Sequence, residues 1–189
     1  MAKNYRPIPV PVGVQIDIVP GFVTVKGKLG NLVIKTMAGL TVKKEDGKID
    51  VEAGPGVARA HVGTLRSHLR NAIAGVTKGF EKALQVRGMG YRVQKTKEGI
   101  QIQCGFSHPV SFPMPKEVAF EVGRMPNPDD TKQQMFEITI RGTDRQVVGQ
   151  VAARIRAIKP VDLYKGKGIR YRNEFVRKKA GKRAVGTEV

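Results

Sequence analysis

Two stretches of this 189-residue chain read alike. "VGTLRSHLR" at 62–70 and "VGQVAARIR" at 148–156 share V-G-x-[LV]-x-x-x-[LI]-R, displaced by 86 positions. In each, apolar side chains recur every three or four residues, so they line one face of a helix. Val62, Leu65, Leu69, Ile73 and Val76 form the first stripe, and Val148, Val151, Ile155 and Ile158 the second. Thr143 or Asp144 offers the second helix an N-cap, and Pro160 stops it. Segments of period two precede both helices, which is strand patterning. "VQIDI", "FVTVK", "LVIK", "LTVKK" and "IDVE" lead into the first, with turns at "PG" and "EDGK". "ALQVRG", "YRVQKT", "IQIQCG", "PVSFP", "VAFEV" and "FEITIRG" lead into the second.

A helix with one apolar stripe must bury it, and a half-apolar sheet supplies the surface. The expected fold is therefore α+β: two tandem duplicated units, each a mostly antiparallel sheet packed on one helix. Residues 1–82 and 83–160 are the units, and 161–189 form a basic extended C-terminal tail. Glycine inside a helix costs about 1 kcal/mol relative to alanine. Finding Gly63 and Gly149 at matching places predicts close approach of each helix to its sheet. The polar segment "GRMPNPDDTKQQ", residues 123–134, reads as an exposed loop.

The tail is set apart by charge. The whole chain carries +18, and residues 159–183 hold ten basic side chains against two acidic ones. Its few apolar residues cannot offset roughly 1–2 kcal/mol of backbone entropy per ordered residue. Its order is therefore expected to come from an anionic partner. Lys165, Lys167, Arg170, Arg172, Arg177, Lys178, Lys179, Lys182 and Arg183 can reach phosphates, while Gly166 and Gly168 let the backbone come close. Tyr164 and Tyr171 can stack on unpaired bases, which suits folded RNA better than a smooth duplex. On the first helix, Arg59, Arg66 and Arg70 read as a second cationic face, with Arg66 and Arg70 as candidate RNA contacts.

Catalytic chemistry needs a constellation that this sequence lacks. His61, His68 and His108 are not at metal-ligand spacing. "GKG" at 166–168 is not a nucleotide-binding loop, and the glycines of "RGMGYR" at 87–92 fit a bulge or tight backbone approach. Asp129 and Asp130 sit side by side in a polar stretch, where solvated charges are the plain reading. No cofactor and no metal are expected. A basic RNA-modifying enzyme would need a nucleophile, base or cofactor loop. A DNA-packaging protein would have no use for the duplicated strand-rich unit. One cysteine, Cys104, excludes an internal disulfide framework and is expected to be buried and inert. "MAKNYRPIPVPV" has no apolar core of a signal peptide, and no apolar run reaches membrane-span length. A soluble, cytoplasmic setting is the expectation.

Three segments resemble a known family. "HPV" at 108–110 after "CGFS", "GTDRQVVGQVAARIR" at 142–156 and "YKGKGIRY" at 164–171 are similar to the signature segments of the bacterial-type large-subunit ribosomal protein L-six family. The resemblance covers nearly the whole chain. It implies a structural, non-catalytic constituent of the large ribosomal subunit, in the cytoplasm. It further implies binding to large-subunit ribosomal RNA near the stalk base and the translation-factor docking region, with support of subunit assembly and translation. Partners implied are that RNA and neighbouring large-subunit proteins, with no membrane and no homo-oligomer. By position, the resemblance points to Tyr164, Lys165, Gly166, Lys167, Gly168, Arg170 and Tyr171 as RNA contacts, and to Ser107 and His108 through "SHPV". The chain departs from the family at Val161, Asp162 and Leu163, where a proline- and glutamate-containing lead-in is usual.

Overall fold

A computed structural model of the chain describes residues 7–45, 47–127, 130–179 and 181. It divides into two compact units: Met1–Phe80 with Gly142–Gln146, and Glu81–Arg141 with Val147–Val189.

The first unit contains β1 (Ile8–Pro9), β2 (Gln15–Val19), β3 (Phe22–Gly27), β4 (Gly30–Lys35), β5 (Leu40–Glu45), β6 (Lys48–Ala53) and α1 (Arg59–Thr77). They form two three-stranded antiparallel sheets, ordered β1-β6-β5 and β2-β3-β4. Val19 pairs with Phe22, so Pro20 and Gly21 alone close that hairpin. Gly21 sits at φ 87°, the left-handed region a tight hairpin turn requires. Val23 and Val25 are fully buried and Lys26 is exposed, as strand alternation demands. These valines, with Ile8, Ile16, Ile49 and Val51, meet the stripe of α1: Val62, Leu65, Leu69, Ile73 and Val76. Each such side chain contributes about 1.5–3 kcal/mol on full burial.

Two expectations are corrected here. Arg66 is only 6% exposed, and its Nη1 lies 3.3 Å from Asp50 Oδ1. Val62, Arg66, Leu69 and Ile73 are spaced four, three and four, so Arg66 belongs to the apolar stripe, whereas Arg59 and Arg70 are exposed. Gly75, also in α1, must lack a side chain, because a Cβ there would stand 2.0 Å from the Thr143 carbonyl oxygen. A Cβ at Gly149 would meet nothing within 4 Å. Close approach therefore does not explain Gly149.

Apart from Phe80, Gly142, Arg145 and Gln146, the second unit takes in β7 (Phe80–Arg87), β8 (Arg92–Lys95), β9 (Gly99–Gln103), β10 (Val110–Pro113), β11 (Val118–Asn127), β12 (Asp130–Gly142), α2 (Arg145–Ile158) and β13 (Gly168–Tyr171). Its sheets run β10-β9-β8 and β11-β12-β7-β13. Asp144 caps α2 by accepting the Gln146 N–H at 2.7 Å. Val148, Val151, Ala152 and Ile155 face inward, and Leu84, Val86, Ile138 and Ile140 are fully buried.

Strands also occupy ground expected to be irregular. Most of residues 123–134 belongs to β11 and β12 rather than to a loop. Strand pairing rests on backbone bonds, so a polar sequence without alternation does not announce it. Pro126 is tolerated because β11 lies at the sheet edge. The tail is corrected more deeply. Residues 168–171 are β13, antiparallel to β7 with Ile169 opposite Val86 and Tyr171 opposite Leu84. Ile169 is fully buried. Within the described part of the tail, residues 168–171 are therefore built into the protein's own sheet.

Candidate nucleic-acid interface

After Pro160 the chain makes a turn built on Asp162. Its carboxylate accepts the N–H of Tyr164 at 3.0 Å and of Lys165 at 3.2 Å. Its backbone N–H donates to the Lys167 carbonyl at 2.8 Å, and its carbonyl accepts the Gly166 N–H at 2.9 Å. These backbone donors, first Tyr164 and then Lys165, hold the Asp162 carboxyl below the usual carboxylate range. Gly168, at φ 141°, lets β13 start directly beneath Pro160, where a Cβ would lie 2.6 Å from the Pro160 carbonyl oxygen. The Ile169 N–H then donates to the Lys159 carbonyl at 2.9 Å, and the Arg172 N–H to that of Ala83 at 3.0 Å.

The chain beyond β13 is fastened again. Arg156 on α2 donates from Nε to Glu174 Oε2 at 3.0 Å and from Nη2 to Oε1, and the Tyr171 N–H donates to Oε2 at 3.0 Å. The Arg156 guanidinium, followed by the Tyr171 N–H, keeps the Glu174 carboxyl below its ordinary value against the upward push of burial. The Lys179 N–H donates to the Leu163 carbonyl at 2.9 Å, bringing the segment back to the Asp162 turn.

This geometry decides how each expected residue is displayed. Tyr164 is 60% exposed beside exposed Lys165, and Lys167 and Arg170 are half-buried. Arg172, Arg177, Lys178 and Lys179 are exposed, with Arg172 Nε 3.7 Å from the buried Glu137 carboxylate. Tyr171 is half-buried, with Arg156 at 5.7 Å and Lys82 at 5.9 Å from its ring centre, so cations already attend its ring. Gly166, at φ 69°, turns the chain where a Cβ would stand 3.0 Å from Lys178 Cε. Both carboxylates of the segment are engaged, so its cations set the field. Lys182 and Arg183 lie outside the described residues.

Ser107 and His108 stand exposed in the connection between β9 and β10. The His108 ring stacks on Phe106 at 6.5 Å, and Lys159 Nζ sits 4.9 Å from the Phe106 ring centre. Lys159 thus touches the tail through its carbonyl, which accepts the Ile169 N–H, and Phe106 beside "SHPV" through its side chain. Tyr91 joins them: a Cβ at Gly105 would meet its ring at 3.6 Å. Burial raises the Tyr91 hydroxyl pKa, followed by the charges of Cys104 and Asp162. Cys104 is fully buried, and burial raises its thiol pKa too. Sequence reasoning did not single out Tyr91, Phe106 or Lys159. A cation directly before Pro160, at the end of α2, was the available signal for Lys159.

Such a surface can present fixed cations and exposed rings to phosphates and bases. Among the described residues, no three His, Cys, Asp or Glu side chains are grouped to hold a metal ion. No described helix is long and apolar enough to cross a membrane.

The family model described as ribosomal protein L6 matches residues 10–79 and 87–172. Large ribosomal subunit protein uL6 of Rubrobacter xylanophilus is 44% identical over 178 residues, covering 93% of this chain and 95% of that protein. The protein of the same name from Hahella chejuensis is 42% identical over 185 residues, covering 97% and 98%. That of Geobacter metallireducens is 36% identical over 179 residues, covering 94% of each. The family is structural and not enzymatic. The chain belongs to the ribosomal protein L6 family.

Proposed function

We propose that this chain is a structural constituent of the large ribosomal subunit in the cytoplasm, where its second unit binds large-subunit ribosomal RNA. The observation that supports this reading is the Asp162 turn leading into β13, an ordered backbone segment that carries Tyr164, Lys165, Lys167 and Arg170. Prefixed cations bind a folded polyanion without the ordering cost a mobile tail incurs. Gly166 and Gly168 shape the turn; Tyr171, Arg172, Arg177, Lys178 and Lys179 extend the surface, and Ser107 and His108 flank it. In the first unit Arg70 supplies an exposed cation for the same RNA. The site lies near the stalk base and the factor-docking region, among neighbouring subunit proteins, and supports assembly and translation. The shared helix motif at 62–70 and 148–156 supports descent of the two units from one duplicated ancestor.

Co-sedimentation with large subunits over a salt series tests this reading. Engagement of about 6–10 phosphates lowers affinity by about three to five orders of magnitude between 50 and 200 mM salt. A chain that stays in the supernatant at low ionic strength refutes it.

A further inference from the structure

Phe175 is 90% exposed, the most exposed aromatic side chain among the described residues, and no expectation from the sequence assigned it a role. The chain on either side of it is nevertheless anchored. The residue before it, Glu174, is clamped by Arg156 and the Tyr171 N–H, and four residues after it the Lys179 N–H is bonded to the Leu163 carbonyl. An open groove of about 630 Å³ runs alongside, lined by Leu163, Phe175, Val176 and the cations Arg177, Lys178 and Lys179. Its one carboxylate, Glu174, is already neutralised by Arg156.

We propose that Phe175 is a stacking platform for an unpaired nucleobase of RNA, seated in the groove beside Leu163 while Arg177, Lys178 and Lys179 take the adjoining phosphates. Charge chooses the occupant. An apolar ring set alone in water is most simply a protein contact, but three consecutive cations at its shoulder repel a second copy of this basic chain. A strand of RNA satisfies both features at once, because every base offers a π-face and every nucleotide a negative charge. The anchored backbone on either side lowers the ordering cost on binding. This inference rests on the RNA-binding reading above and adds a residue and a ligand group to it.

The chain contains no tryptophan, so Phe175→Trp installs a single fluorescent reporter at the platform. Substitution at a side chain this exposed leaves the fold intact. The probe is large-subunit ribosomal RNA transcribed in vitro, titrated against the full chain and against Phe175→Ala. Expected is water-exposed indole emission from the free Trp variant, quenched as RNA is added and restored by salt. Phe175→Ala should bind about 5- to 150-fold more weakly at every salt concentration, with the salt slope unchanged. Blue-shifted emission in the free variant would mean that the ring is covered by its own chain or a second copy, overturning the proposal. So would a response to intact subunits but none to RNA alone, which identifies a protein neighbour. Equal binding by Phe175→Ala with no quenching removes the platform but leaves the RNA-binding reading standing. Failure of the unaltered chain to bind RNA at low salt removes both.

Discussion

Arg156 grips Glu174 through two nitrogens, Nε at 3.0 Å from Oε2 and Nη2 on Oε1, and thereby ties the end of α2 to the chain beyond β13. The Tyr171 N–H, bonded to the same Oε2 at 3.0 Å, makes that carboxylate the junction of helix, strand and C-terminal segment.

Glu174→Gln is therefore expected to destabilise the second unit by about 1 kcal/mol. A charged hydrogen bond contributes about 1.5–3 kcal/mol, and the value is reduced because solvent screens the 42%-exposed Arg156 side chain. Glu174 has a lowered folded-state pKa, from a reference value of 4.5. Its contribution is complete above that reference and is lost as pH falls below it, through the folded-state value. Denaturant unfolding of wild type and variant at neutral and acidic pH checks this: the two curves should converge at low pH. A difference that persists there would assign the effect to packing.

Ile169→Ala should cost about 2–4 kcal/mol, since the side chain is fully buried where β13 meets β7. Truncation after Pro160 goes further. It strips β7 of one of its two neighbours and leaves an unpaired, partly apolar edge prone to aggregation. Cooperative unfolding measured on both variants decides whether this segment is core. A truncated chain that melts like the full one would show that β13 adds nothing to the fold.

Gly75→Ala and Gly149→Ala should differ in sign. At Gly75 the new Cβ would lie 2.0 Å from the Thr143 carbonyl oxygen, so backbone must move, at about 1–3 kcal/mol. At Gly149 the Cβ meets nothing within 4 Å, and the helix gains up to about 1 kcal/mol. Parallel thermal melts settle both, and equal shifts would refute the geometric distinction.

Arg66 and Arg70, four apart on α1, should separate stability from RNA affinity. Arg66→Ala removes a buried stem and leaves Asp50 without that partner, which costs about 1–3 kcal/mol. Arg70→Glu, on the exposed face, should leave stability within about 0.5 kcal/mol while reducing the salt slope of RNA binding by about 1. An unchanged slope would take Arg70 out of the RNA contact.

Much of this protein is settled by sequence. The apolar stripes at Val62–Val76 and Val148–Ile155 are helices because side-chain period is a local property, and the alternating "FVTVK" and "IQIQCG" segments are strands for the same reason. Charge is local too, so the cationic C-terminal segment is visible without coordinates. Its partner strand is not. Whether "GIRY" lies free or becomes β13 depends on β7, far away in the chain, and on one buried side chain, Ile169. The same holds for Arg66, buried in the helix stripe beside Asp50 of β6, and for Gly75, whose neighbour Thr143 comes from much later in the sequence. Periodicity and composition report what a residue prefers. Only the folded chain decides what it meets, because backbone pairing and close approach join positions whose sequences carry no mark of each other.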